Sequence, residues 1–188
     1  MARVTGLMLC TVALVLAACG GATTAAPPTS ASTKASAPGA GTTSTTLTAA
    51  QHSAEVSSQV LAAYRDMWGD LITAAETSDF QSSLLPLHAT GVALTLLTQG
   101  LARDQLHSIV TRGITTHQPR VTSLSPSADP SRATVTDCFD DTKWIEYTTS
   151  GARAKNTPGG KRATTAELVK SSGVWKVSEL TIGATGTC

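Results

Sequence analysis

Histidine pairs at metal-ligating spacing, Cys-x-x-Cys and Gly-x-Ser-x-Gly are all missing from this chain of 188 residues. The first absence removes a zinc site of the usual spacing, the second a dithiol redox centre, the third the nucleophile elbow of the α/β-hydrolases. The four histidines, His52, His88, His107 and His117, stand far apart in the chain and read as surface or capping residues, with no metal and no cofactor implied. Charge is scarce at 14% and aromatic side chains scarcer at 4%, because Ala, Thr, Ser and Gly dominate. Of the 14 basic residues Arg3 lies at the very start; the other 13 balance 13 acidic ones, so the remaining chain has no electrostatic footprint for nucleic acid. No apolar run approaches the roughly 20 residues that a membrane-crossing helix needs.

What the chain does have begins at its first residues. Arg3 precedes an apolar run through Leu7, Met8, Leu9, Val12, Leu14 and Val15, which closes on Leu16-Ala17-Ala18-Cys19-Gly20. That closing stretch resembles the lipobox of bacterial lipoproteins, with an aliphatic residue three before the cysteine and small residues between. The resemblance implies that residues 1–18 are a lipoprotein signal peptide and that Cys19 carries a diacylglyceryl thioether after cleavage. The protein would then sit on the outer face of the cytoplasmic membrane, facing the cell wall, with membrane contact through that lipid. One acyl chain binds marginally, at about 0.8 kcal/mol per buried CH₂, and two hold stably. The alternative is an ordinary secretory signal that leaves Cys19 as a free thiol.

Residues 19–47 read as lipidated Cys19 and a disordered tether: from Gly20 to Thr46 the chain is Gly, Ala, Thr, Ser and Pro with one charge, Lys34, and nothing there offsets the entropy of ordering it. Cys10 leaves with the leader and Cys19 takes lipid, so Cys138 and Cys188 are the only cysteines left in an oxidising compartment, where pairing is the default. A disulfide between them would pin the last residue of the chain to a central strand.

The folded domain spans 48–188. Thr48 and Gln51 have capping-box spacing, and Val56, Val60, Leu61, Tyr64, Met67, Trp68, Leu71, Ile72 and Ala75 follow at helical period. A second helical region over about 82–107 carries a stripe through Val92, Leu96, Leu97, Leu101 and Leu106. After Gly113 the period becomes alternating: an edge strand broken at Pro119 over 114–124, strands over 133–139 and 144–147, and a polar hairpin tip over 151–160. Strands over 162–170 and from Val174 onward complete the pattern, the last with a bulge near Ser178-Glu179. The expected fold is α+β, two N-terminal helices packed on a curved antiparallel sheet of about four strands. The order of elements, with Ala89-Thr90-Gly91, Ala133 to Cys138, Pro158-Gly159-Gly160 and Gly173 to Val177, resembles small actinobacterial lipoproteins with an NTF2-like fold.

That resemblance implies a cone with a pocket between sheet and helices, for which Tyr64, Trp68, His107, Asp137 and Tyr147 are the candidate lining residues. Asp137 shares a strand face with Val135 and Phe139; in an apolar cavity its pKa would rise and it could act as general acid or base. A strand aspartate beside a turn is as simply explained by local hydrogen bonds. No His-Asp pair stands at a recognisable spacing, so no catalytic residue is assigned. Trp68, Trp144 and Trp175 read as core, and Arg153, Lys155, Lys161 and Arg162 as a solvated edge, or a contact for anionic headgroups. The sequence thus points to a lipid-anchored, non-enzymatic module that binds a small apolar ligand or an envelope partner protein. The alternative is a small isomerase, dehydratase or hydrolase using Asp137.

Overall fold

A computed structural model describes residues 48–154 and 159–188. The expected signal peptide over 1–18, the lipidated Cys19, the tether over 19–47 and Lys155 at the hairpin tip all lie outside the described residues. The elements in order are α1 (Ala49–Ala75), α2 (Leu85–His88), α3 (Gly91–Leu106), β1 (Ile109–Gly113), β2 (Arg120–Ser125), β3 (Arg132–Asp140), β4 (Trp144–Thr148), β5 (Lys161–Ser171) and β6 (Val174–Ile182).

Thr48 starts α1 with the reciprocal bonds its spacing predicts: its Oγ1 accepts from Gln51 N–H at 3.3 Å, and its own N–H donates to Gln51 Oε1 at 2.9 Å. Val56, Val60, Tyr64, Met67, Trp68 and Leu71 form the buried stripe of α1. It packs into the hollow of an antiparallel sheet ordered β2-β3-β5-β6, whose inner face carries Ala133, Val135, Phe139, Ala166, Leu168, Trp175 and Val177. The α+β class and the four-stranded sheet are as expected.

Three expectations need correction. The second helical region is two helices, because the chain stops at Ala89-Thr90 to pair with β6: Thr90 N–H donates to Val177 C=O at 2.8 Å. That contact draws the start of α3 so close to β6 that a Cβ on Gly91 would stand 3.3 Å from Ser178 C=O. It also sets which side of α3 is buried. Ala93, Leu97 and Leu101 face the core, while Val92, Leu96 and Leu106, expected in the stripe, are exposed. The strand expected over 114–124 is a connection followed by β2, which forms an edge of the four-stranded sheet with its register shifted between Val121 and Ser123. And β4 forms no hairpin with β5. It pairs with β1 in a separate two-stranded ribbon, from Ile109↔Thr148 to Gly113↔Trp144, then folds back on itself through Thr148 N–H to Ala152 C=O.

The bulge is where the apolar phase shift put it. Glu167 pairs with Glu179 and Leu168 with Val177, which leaves Ser178 as the extra residue. Cys138 and Cys188 are bonded, with Cα atoms 5.8 Å apart. Before it reaches that bond the C-terminal segment turns along the start of β5, Gly183 N–H donating to Ala163 C=O and Gly186 N–H to Lys161 C=O. Trp68 and Trp175 are core residues, as their apolar neighbours implied; Trp144, in the ribbon, is half-buried.

Candidate functional site

Three elements converge on one buried carboxylate. α1 presents Tyr64 and Trp68 one turn apart, and β3 turns Asp137 inward between Val135 and Phe139. The connection between β1 and β2 is held to the end of β3 by reciprocal bonds of Thr116 with Asp140, each at 3.0 Å. In that extended backbone Thr115 and His117, two apart, point to the same side.

The resulting chain of hydrogen bonds runs Tyr64–Asp137–His117–Thr115. Tyr64 Oη donates to Asp137 Oδ2 at 2.9 Å, His117 Nδ1 lies 2.7 Å from the same oxygen, and Gln118 N–H donates to Oδ1. His117 Nε2 lies 2.8 Å from Thr115 Oγ1. Around the imidazole, Trp68 stands at 5.1 Å, Phe139 at 5.3 Å and Tyr64 edge-on at 6.1 Å, with Trp68 stacked on Phe139 at 4.5 Å. The Asp137 side chain has no exposure and the His117 side chain 12%.

Burial alone would raise the Asp137 pKa, as expected for an aspartate among apolar groups. The bonds from His117, Gln118 N–H and Tyr64 outweigh it and hold the carboxyl below its ordinary range. The raised acid-base group foreseen for this position is therefore corrected to a saturated carboxylate. Burial first, and then the Asp137 charge, push the Tyr64 hydroxyl well above its ordinary value, so it stays a donor.

Of the five residues singled out from sequence, the structure gathers Tyr64, Trp68 and Asp137. His107 is exposed at the C-terminal end of α3, and Tyr147 lies in β4 opposite Val110 with the Arg112 guanidinium 6.0 Å from its ring. No hydrogen bond or ring contact joins either to the network among the described residues, because the β1–β4 ribbon is a separate sheet. His117 is the residue the sequence reading missed, as a surface histidine 20 positions from its partner. Its only advance signal is the alternation with Thr115 just before Pro119.

A second feature lies beside the network. A half-open cleft of about 270 Å³ runs between the end of α1, α3, the ribbon and the end of β6. Leu71, Leu97, Leu101, Trp144 and Ile182 supply apolar walls, Arg103, Asp104, Thr111, Asp141 and Glu146 supply polar groups, and α3 adds Gly100, which has no side chain. Asp137 does not line it. Among the described residues no group of three or more His, Cys, Asp or Glu side chains could hold a metal, and no helix is long and apolar enough to cross a membrane.

No protein-family model matches the chain, and no curated protein matches it by sequence. Solved structures do. The intermembrane-space region of the chloroplast protein ARC6 is similar with a TM-score of 0.53 and 19% identity, over 66% of this chain and 93% of that one. A cystatin-like-fold protein of unknown function from Nostoc punctiforme has a TM-score of 0.44 and 11% identity over 68% and 92%. A proposed dehydratase of the NTF2-like family from Streptomyces avermitilis has a TM-score of 0.41 and 13% identity over 68% and 94%. At these identities the likeness concerns the fold.

Proposed function

We propose that the protein is a lipid-anchored binding module on the outer face of the cytoplasmic membrane, which takes a small, largely apolar molecule into the cleft between α3 and the β1–β4 ribbon. The observation that carries the binding reading is the cleft itself: about 270 Å³ with leucine, isoleucine and tryptophan walls, a little under the roughly 300–1,000 Å³ of drug-sized ligand sites. Exposed Leu96 extends the apolar wall to the mouth. The lipid anchor rests on Leu16 to Cys19 and is tested separately, by labelled palmitate entering the wild type but not Cys19→Ala.

An enzyme using Asp137 as acid or base draws less support. Both its oxygens are occupied, its proton affinity is lowered and it does not line the cleft.

Gly100 offers a clean test. A Cβ there meets nothing within 4 Å, so Gly100→Leu projects into the cleft without strain, and leucine favours the helix by about 0.8 kcal/mol over glycine. Wild-type protein should enhance the fluorescence of the apolar probe N-phenyl-1-naphthylamine with saturation at one site, and Gly100→Leu should lose this while melting no lower. Equal binding by both proteins would end the cleft hypothesis.

A further inference from the structure

Thr115 is the outer end of the buried hydrogen-bond chain, and the direction of that chain can be read from its inner end. Asp137 Oδ1 takes the Gln118 N–H, and Oδ2 takes the Tyr64 hydroxyl and faces His117 Nδ1. A carboxylate has only acceptors, so Nδ1 must carry a hydrogen. In the neutral imidazole Nε2 is then the lone-pair nitrogen, and the contact at 2.8 Å is Thr115 O–H donating to it. A hydroxyl donating to an imidazole, itself oriented by a buried carboxylate, is the arrangement that activates an oxygen nucleophile.

The surroundings fit that use. The stacked pair Trp68 and Phe139 lies against the imidazole at 5.1 and 5.3 Å, while Thr115 itself is partly exposed. The backbone N–H groups of Thr115 and His117 make no hydrogen bond among the described residues, whereas Thr116 between them is tied to Asp140. In extended backbone those two nitrogens lie about 6.5 Å apart, so a developing oxyanion can take a hydrogen bond from one of them, not both.

From this arrangement we infer that Thr115 is a reactive threonine that accepts an acyl group from small carboxylic esters, with His117 as general base and Asp137 as its positioning residue. This site is separate from the cleft. In the step, Thr115 Oγ bonds to the ester carbonyl carbon as its proton passes to His117 Nε2. The tetrahedral adduct then breaks its bond to the alcohol oxygen, which leaves with that proton. Water can reverse the acylation by the same route, giving one proton to Nε2 and releasing the acid while Thr115 regains its hydrogen.

The test is acetylation of the full-length protein by p-nitrophenyl acetate, followed by peptide mass spectrometry. Thr115 should be acetylated ahead of every other hydroxyl in the chain. Asp137→Asn, which keeps the shape but lets the imidazole adopt the other tautomer, should slow that labelling by about 100-fold or more. His117→Gln should slow it by about 100-fold as well. Urea unfolding of Asp137→Asn and His117→Gln should show both folded under the labelling conditions, so that loss of label is not mistaken for misfolding. Acetyl groups found only on lysines or on the imidazole, or Thr115 labelled as fast in Asp137→Asn as in the wild type, would overturn the inference.

Discussion

Replacing Asp137 with alanine should cost about 4 kcal/mol, because it strips an acceptor from three donors at once. A buried donor left without a partner costs about 1–3 kcal/mol. The Tyr64 hydroxyl and the His117 Nδ1–H are enclosed and should each meet that cost, while Gln118 is exposed and its N–H can turn to water. Against a whole-domain stability of about 5–15 kcal/mol the loss is large, and for a domain of this size it lowers Tm by about 12 °C. Asparagine should cost only about 1–2 kcal/mol. Its carbonyl oxygen keeps the Gln118 N–H, its amide donates to the Tyr64 oxygen, and the imidazole moves its proton to Nε2 and donates to Thr115. Urea unfolding followed by tryptophan fluorescence would measure both variants, since Trp68 lies within 5.1 Å of His117. The pH dependence carries a sign. Because the folded carboxyl is held below its ordinary 3.8, its contribution is present above that pH and is lost as pH falls through the depressed value. The gap between wild type and Asp137→Asn should therefore close in acid. Alanine and asparagine variants of equal stability at neutral pH would refute the reasoning.

At the other end of the network, Tyr64 holds its proton above the ordinary 10.0, so wild-type stability should fall as pH rises past 10. Tyr64→Phe, about 1–2 kcal/mol weaker at neutral pH, should lose less there in alkaline urea titrations. Joint replacement of Cys138 and Cys188 with serine opens a loop of 50 residues and should cost about 4 kcal/mol by chain entropy, read from the midpoint of chemical unfolding. Gly113 has φ +110°, and a Cβ there would run into the Lys143 carbonyl, so Gly113→Ala should cost at least about 2 kcal/mol and loosen the β1–β4 ribbon first, visible as faster amide exchange of Ile145 and Tyr147.

Much of the fold was legible because local chemistry and global packing agree over long stretches. Thr48 and Gln51 mark the start of α1, and its apolar period runs unbroken to Ala75. The slip in phase between Val177 and Leu180 placed the bulge near Ser178-Glu179, and Ser178 is the extra residue. The failures occur where a tertiary contact overrides a local pattern. The leucines of α3 satisfy two helical stripes, and only the pairing of Thr90 with Val177 decides that Ala93, Leu97 and Leu101 face inward. β4 carries an apolar run that suits either sheet, and only β1 as a partner settles it. For the site, Asp137, Tyr64 and Trp68 were readable because each lies on the apolar face of a regular element. His117 was not, since an irregular connection has no period, and the contact that makes it functional joins residues 20 apart.

The bond between Cys138 and Cys188 turns β4, β5 and β6 into part of a closed covalent ring. A single protease cut anywhere between Phe139 and Thr187 therefore releases nothing: both pieces stay joined, and the nicked chain runs as one band until it is reduced. Cuts before Cys138 shed a fragment at once. Limited digestion run with and without reductant thus sorts accessible bonds into those inside the ring and those in the helices and β1–β2 outside it, which gives a map of local opening that needs no mutation.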